Sequence, residues 1–385
     1  MMEITEGSHA VAEAVRLCRP QVVSAYPITP QTHIVEALAD FVANNTLDAE
    51  YITVENELSA LSACVGASAA GSRTYSATTS QGLMLMAEVV FNAAGMRLPI
   101  IMSIANRAMG APLSIWNDMQ DSISLRDAGW LQFYAEDNQE ATDLHFLAYK
   151  VAEDHTIQLP AFVCFDGFIL SHTYEPVDIL SQEQVDSYLP KFAPTERLDA
   201  KDPISFGMYA TPDYYLEFRY EMDEAQKRAK GVIAKYGKEF GHLFGRDYSA
   251  LIEGYRLEDA ETAIVAMGSI CGTVKDAIDE MRADGKKVGL LKIRVFRPFP
   301  SEEIAKALSH VKRVAVLDKN ISLGGKGGAT AIEVRDAMYG STTPIKGYVL
   351  GLGGRDIRKK DIKEIVSLSE KGVGDQFYGL RKELI

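Results

Sequence analysis

The 385-residue chain is 47% hydrophobic and 24% charged, a globular balance that excludes disordered and fibrous classes and allows roughly two to three domains. No stretch approaches the ~18 apolar residues of a membrane span, and no basic-then-apolar leader opens it, so a cytoplasmic protein without membrane contact is expected. The net charge of −13 sits in the front half, where residues 1–170 hold 20 Asp/Glu against 7 Lys/Arg, which opposes binding to nucleic acid or anionic lipid.

In chain order, Gln21–Tyr26 reads as a buried strand, and Gln31–Asn45 as a helix with Ile34, Leu38, Phe41 and Val42 on one face. Tyr51–Val54 reads as a strand, residues 57–70 as a helix rich in Ala, Ser and Gly, and Thr74–Thr78 as a strand before the apolar helix Leu83–Phe91. Strands Pro99–Ile104 and Ala161–Phe165, with a helix from Glu140 to Asp154, complete a parallel α/β pattern over residues 1–170. Residues 171–255 break the rhythm with prolines, aromatics and a charged helix from about Met222 to Phe240. They read as an extended arm and helix, either packed on its own chain or facing a partner subunit. Residues 256–385 read as a second, smaller α/β domain. Its elements are strand Thr262–Met267, helix Gly272–Ala283, strand Val288–Phe296, a helix from Ser301, strand Arg313–Leu317, helix Ala329–Tyr339 and strand Lys346–Leu350.

Four segments invite a chemical reading. In Tyr26-Pro27-Ile28-Thr29-Pro30 the prolines hold Tyr26 and Thr29 extended just past a strand end, where open α/β sheets bind ligands; an N-cap role for Thr29 is the simpler alternative. Glu57, with Glu55 nearby, opens the small-residue helix, where the dipole favours a carboxylate; pressed against a ligand it would instead hold or donate a proton. Arg107 follows a strand in a half poor in cations, which suits a small carboxylate or a salt bridge to Asp118 or Asp121. Thr78–Gly82, containing Ser80 and Gln81, could turn backbone N–H groups toward a ligand or simply cap a helix. The glycine runs 324–328 and 351–354 fit no phosphate-loop pattern, and the seven histidines show no metal-ligand spacing. Cys18, Cys64, Cys164 and Cys271 are far apart, which argues against a zinc site, cluster or disulfide.

Taken in order, YPITPQT, VENELSALSACVGASAAGSRTYSATTSQGLMLM and NRAMGAPLSIWNDMQDS resemble the α subunit of the 2-oxoacid:ferredoxin oxidoreductases, most closely the four-subunit pyruvate type. The resemblance implies a pyrimidine-type thiamine diphosphate-binding domain with a parallel sheet at 1–170, a partner-contacting arm at 171–255 and a transketolase C-terminal-like domain at 256–385. It implies an enzyme that decarboxylates pyruvate oxidatively, passes the acyl group to coenzyme A and reduces ferredoxin. Glu57 then matches the glutamate that hydrogen-bonds the aminopyrimidine ring, Thr29 and Arg107 match residues that hold the substrate, and Tyr26, Pro27, Ser80 and Gln81 are expected beside the cofactor. The chain has no GDG motif (the nearest string is Phe165-Asp166-Gly167-Phe168) and no cysteine run. Mg²⁺ and [4Fe–4S] clusters are therefore expected on other subunits: one binding Mg²⁺-diphosphate, one ferredoxin-like, and a third. Another 2-oxo acid (2-oxoisovalerate, 2-oxoglutarate, oxalate), a cluster-free thiamine enzyme and a nucleotide-binding scaffold are the competing expectations.

Overall fold

The computed structural model describes residues 2–385 and builds two main sheets. The first has seven strands in the order Val295–Arg297, Leu131–Tyr134, Ala161–Asp166, Ile101–Asn106, Thr74–Thr78, Val22–Ser24, Glu50–Ile52. All run parallel except Val295–Arg297. Its four inner strands from Thr74 to Asp166 are buried at every residue, as a sheet covered on both faces requires. The chain steps outward from Val22–Ser24 to Glu50–Ile52, then returns to the other side at Thr74–Thr78. That reversal makes the carboxyl ends of Val22–Ser24 and Thr74–Thr78 a topological switch point, the place where such sheets bind ligands.

Helices Gly7–Leu17, Thr32–Ala43, Asn138–Ala152 and the 30-residue Tyr215–Phe244 share one apolar core on one face of this sheet. Helix Glu57–Ala69 lies close on the other face, where its Cys64 Sγ is 3.4 Å from the Tyr75 carbonyl. The small side chains permit that approach. The core on this second face runs without a break into the second domain, joining Leu61, Val90 and Met102 to Val265, Leu291 and Val314.

The second sheet has the order Gln376–Phe377, Ile345–Val349, Arg313–Asp318, Thr262–Ala266, Val288–Ile293, Ile252–Tyr255, parallel except for the last strand. Two readings need correction. Ile252–Tyr255, expected within the arm, is the edge strand of this sheet. The run Val288–Phe296, expected as one strand, breaks at Arg294 and continues as Val295–Arg297 in the first sheet. The cause is a buried ion knot: Glu140 accepts from both Lys292 (2.8 Å) and Arg294 (2.5 Å), and Arg294 also reaches Glu253 at 2.7 Å. A buried carboxylate needs such partners, and here they tie the two domains together. The ribbon of Met2–Glu6 with Tyr174–Asp178 and helix Gly7–Leu17 had no expectation attached. Among the described residues no helix is long and apolar enough to cross a membrane.

Candidate active site at the switch point

Tyr26–Thr29, Glu55–Glu57, Thr79–Gln81 and Arg107 all leave the carboxyl edge of four adjacent strands. Gln31 bridges the two strand ends at the switch point, donating from Nε2 to the carbonyls of Tyr26 (3.2 Å) and Ala77 (2.7 Å). Gln31, not Thr29, is the N-cap residue of Thr32–Ala43, so Thr29 is free of the capping role. Tyr26 is half-buried; Pro27 and Thr29 are exposed.

The two glutamates separate clearly. Glu55 is exposed, and its carboxylate accepts from Ser59 Oγ at 2.5 Å, a bond that holds its pKa down. Glu57 is only 7% exposed, yet its carboxylate makes no hydrogen bond or ion pair among the described residues. The helix start does not need it, because Asn56 Oδ1 already accepts from the Ser59 N–H at 2.9 Å. Beneath Glu57 lies Gly82. A methyl group there would fall 2.6 Å from both Glu57 Oε1 and Thr78 Oγ1, and Thr78 Oγ1 is itself buried without a partner. Unpaired polar atoms converging on a glycine floor are unusual in a folded chain, and they suit a polar ring laid against them.

Arg107 is 6% exposed and forms no salt bridge among the described residues, so the expected ion pair with Asp118 or Asp121 does not form. Its Nη1 donates to the Thr29 carbonyl (2.8 Å) and its Nε to Ser114 (3.2 Å), while burial lowers its pKa. The guanidinium is thus held by two carbonyls, and the nearby Asp121, bound to the Arg107 backbone N–H, acts on it without forming an ion pair.

Asp121 organises this edge, a role the sequence reading missed. Fully buried, it accepts from the N–H groups of Ser80 (2.9 Å), Arg107 (3.0 Å) and Ser122 (2.8 Å) and from Asn106 Nδ2 (2.7 Å). It thereby locks Ser80 at φ +48°, a backbone conformation that side chains other than glycine adopt rarely. Ser80 Oγ is bonded to the Ala108 carbonyl (2.6 Å) and to Gln81. Ser80, expected beside the cofactor, has its N–H on Asp121 and its hydroxyl on Ala108 and Gln81, bonds that position the turn. Thr79 makes no cap bond, because its hydroxyl donates to the Ala105 carbonyl at 2.6 Å. Gln81 packs its amide against Gly110.

Burial pushes the Asp121 carboxyl up to about 6. Between about pH 4 and pH 6 the folded chain holds a proton there that the unfolded chain has released, so stability falls as pH rises through that window. The shift of roughly two units amounts to about 3 kcal/mol. Chemical unfolding of Asp121→Asn across that range should lack this limb of the wild-type profile.

The second domain braces the Arg107 loop. Asp118 accepts from the Gly353 N–H (3.0 Å), and the Gly354 N–H donates to Asn117 (2.7 Å). Asp166, buried, takes Lys319 Nζ (2.6 Å), Asn117 (2.9 Å) and the Ser269 N–H (2.9 Å); against the effect of burial, Lys319 holds its pKa below the usual carboxylate range. The Phe165-Asp166-Gly167 string is therefore spent on an interdomain ion pair and has no carboxylate to spare for a metal. At the other glycine run, Asp318 and Asn320 accept from the N–H groups of Ala329, Thr330 and Ala331, filling the helix end a phosphate would need. A groove of about 550 Å³ at the opposite edge, lined by Arg16, Arg19 and Arg73, has its arginines neutralised by Glu13, Asp186 and Glu153.

A cofactor's diphosphate would find little here. Arg107 is the one basic residue in segments 25–31, 53–59, 78–84 and 105–110. The four cysteines are buried and free. This edge fits the ring end of thiamine diphosphate and lacks ligands for the metal-diphosphate end. The segments that follow two of these strands carry exposed apolar side chains at Leu85 (50%), Leu113 (74%) and Trp116 (53%).

Two family models match the chain. One, described as pyruvate flavodoxin/ferredoxin oxidoreductase, thiamine diP-binding, covers residues 13–238. The other, pyruvate:ferredoxin oxidoreductase core domain II, covers residues 260–362. The class is thus that of the thiamine diphosphate-binding α/β proteins. The chain is 52% identical to pyruvate synthase subunit PorA of Methanosarcina barkeri over 100% of its own length and 98% of that protein. It is 50% identical to ketoisovalerate oxidoreductase subunit VorA of Pyrococcus horikoshii, with 96% and 94% covered. A solved 2-oxoglutarate:ferredoxin oxidoreductase from Magnetococcus marinus shares the fold at a TM-score of 0.72 and 18% identity, covering 96% of this chain and 65% of that longer one. The chain belongs to the pyruvate:ferredoxin oxidoreductase family, as one subunit of a multi-subunit enzyme.

Proposed function

We propose that this chain is the pyrimidine-side subunit of a complex that oxidatively decarboxylates pyruvate with coenzyme A, giving acetyl-CoA and CO₂ and reducing ferredoxin. The observation that carries this reading is the Glu57 carboxylate, almost buried and unpartnered over the Gly82 floor. When bound, thiamine diphosphate supplies the nucleophilic carbon and electron sink for breaking the bond beside the 2-oxo group. Glu57 holds a hydrogen bond at a ring nitrogen of the aminopyrimidine. Arg107 takes the substrate carboxylate with its spare N–H donors, and the Thr29 hydroxyl donates to the substrate oxygens. Tyr26, Pro27 and Gln81 flank the ring.

The metal-diphosphate ligands and the [4Fe–4S] clusters belong to partner subunits, one of them ferredoxin-like, and a third subunit completes the assembly in the cytoplasm. The arm supplies contact surface: Tyr209 (87%), Leu216 (73%) and Tyr214 (62%) are exposed, whereas Tyr188 and Phe240 pack on their own chain. Hydrogen exchange at 204–220 should slow when the complex assembles.

A methyl at the floor tests the site without touching its chemistry. Gly82→Ala displaces Glu57 Oε1 from 2.6 Å contact, and a shift of about 1 Å should cost about 10²-fold in turnover. The overall reading is tested by purifying the native complex and following ferredoxin reduction with pyruvate, 2-oxoisovalerate and 2-oxoglutarate, each with coenzyme A. Pyruvate is expected to give the highest kcat/KM. The relative named for ketoisovalerate, at 50% identity, supports 2-oxoisovalerate as the second reading, and a preference for it would establish that one. Turnover with no visible iron–sulfur absorbance in the complex would overturn both.

A further inference from the structure

Three of the seven histidines come together from segments remote in sequence, beside a buried carboxylate. His9 lies in the first turn of Gly7–Leu17, His33 in the first turn of Thr32–Ala43, and His172 in the turn after Ala161–Asp166. His33 Nδ1 is 2.6 Å from Glu6 Oε1, and the His33 and His172 rings face each other at 4.7 Å, tilted by 35°. Donor atoms of Glu6, His33 and His172 all lie within 4.8 Å of one another. Metal bonds of about 2.0–2.2 Å would draw them in through small side-chain rotations.

The surroundings favour a cation. The Glu6 side chain is 9% exposed, and an imidazole, not a lysine or arginine, is its ion-pair partner. Ser171 Oγ lies 2.7 Å from His172 Nδ1, which leaves Nε2 to bind. Ser171 is itself fixed, accepting from the Phe168 N–H (2.8 Å) at its hydroxyl and from Ser8 Oγ (2.8 Å) at its carbonyl. Such outer bonds orient metal-binding imidazoles.

We propose that Glu6, His33 and His172 form a site for one divalent late first-row metal of the Zn²⁺ type. Two imidazole nitrogens with one carboxylate select such an ion over Mg²⁺ or Ca²⁺, which demand oxygen ligands. His9 lies edge-on to His33 at 6.3 Å. The metal would join the N-terminal strand, the helix that follows Thr29-Pro30 and the turn that carries Gly167 and Phe168. Gly167 packs on Pro30, and Phe168 meets Trp116 of the Arg107 loop at 4.8 Å. It is a brace behind the candidate active site, with no part in the chemistry.

Calorimetric titration of Zn²⁺, and optical titration of Co²⁺, into the untagged full-length chain test this. The wild type should bind one equivalent, with visible Co²⁺ ligand-field bands and a raised melting temperature. His33→Gln and His172→Ala should each weaken binding by at least about tenfold. His155→Ala, at a side chain 77% exposed elsewhere, should change nothing. His33 is 41% exposed, so its variant is expected to fold, and metal-free melting checks this. Equal Zn²⁺ binding by wild type and a His33→Gln/His172→Ala double variant, no binding by the wild type, or displacement of Co²⁺ by Mg²⁺ as readily as by Zn²⁺ would each overturn the proposal.

Discussion

Glu57→Gln is expected to lower turnover of the assembled enzyme by about 10²–10⁴-fold, the range of a positioned proton-handling group, while leaving the chain folded. The two halves of that expectation rest on one feature. Glu57 has no hydrogen bond or ion pair among the described residues, and Asn56 caps the helix without it. Neutralising it removes only its share of the helix-dipole interaction, about 0.3–1 kcal/mol. A ligand contact predicts this combination of small contribution to stability and near-complete burial. Glu55→Gln is the internal control, because Glu55 is exposed and its carboxylate is tied to Ser59; that change should cost less than about tenfold. Steady-state ferredoxin reduction and thermal melting of both variants decide the matter. Near-normal turnover in Glu57→Gln would remove the catalytic assignment, and a dead Glu55→Gln enzyme would transfer it.

The choice between those glutamates shows where sequence reasoning ended. An acidic residue in a first turn is routine, and its residue type says nothing about whether partners await it. The absence of partners exists only in three dimensions, and family resemblance was needed to prefer Glu57. The sheet was more legible. Strands such as Ile101–Asn106 are buried on both faces and read as continuous apolar runs, and Thr74–Thr78 was located without error because Gly71 and the Thr78–Gly82 turn bracket it. Where one run serves two sheets, local pattern misleads: Val288–Phe296 looks unbroken until Glu140 and Glu253 draw Lys292 and Arg294 into the domain interface. Asp121 escaped notice for a related reason. Its donors are mostly backbone N–H groups, which no side-chain pattern announces. The histidines carried no ligand spacing because they meet across the fold rather than along the chain.

Arg107→Met should lower kcat/KM for 2-oxo acids by about 30- to 1,000-fold, the equivalent of about 2–4 kcal/mol. A guanidinium has five N–H donors. The Thr29 and Ser114 carbonyls take one each, which leaves the remainder for a substrate carboxylate. With Asp121 held on the Arg107 backbone N–H and no ion pair to the guanidinium among the described residues, the buried cation gains most when a substrate carboxylate arrives. The loss should therefore fall chiefly on KM. Arg107→Lys keeps the charge but cannot hold both carbonyls and a carboxylate together, and it should lie between wild type and Met. A purely structural role for Arg107 would also lower activity, since its removal leaves two carbonyls without their donor. The substrate series separates the roles. Pyruvate and 2-oxoisovalerate share the carboxylate and differ in the tail, so carboxylate binding predicts the same factor for both, recoverable at high substrate concentration. A loss that persists at saturation, or that follows tail size, would place the defect in the shape of the site and not in the charge of Arg107.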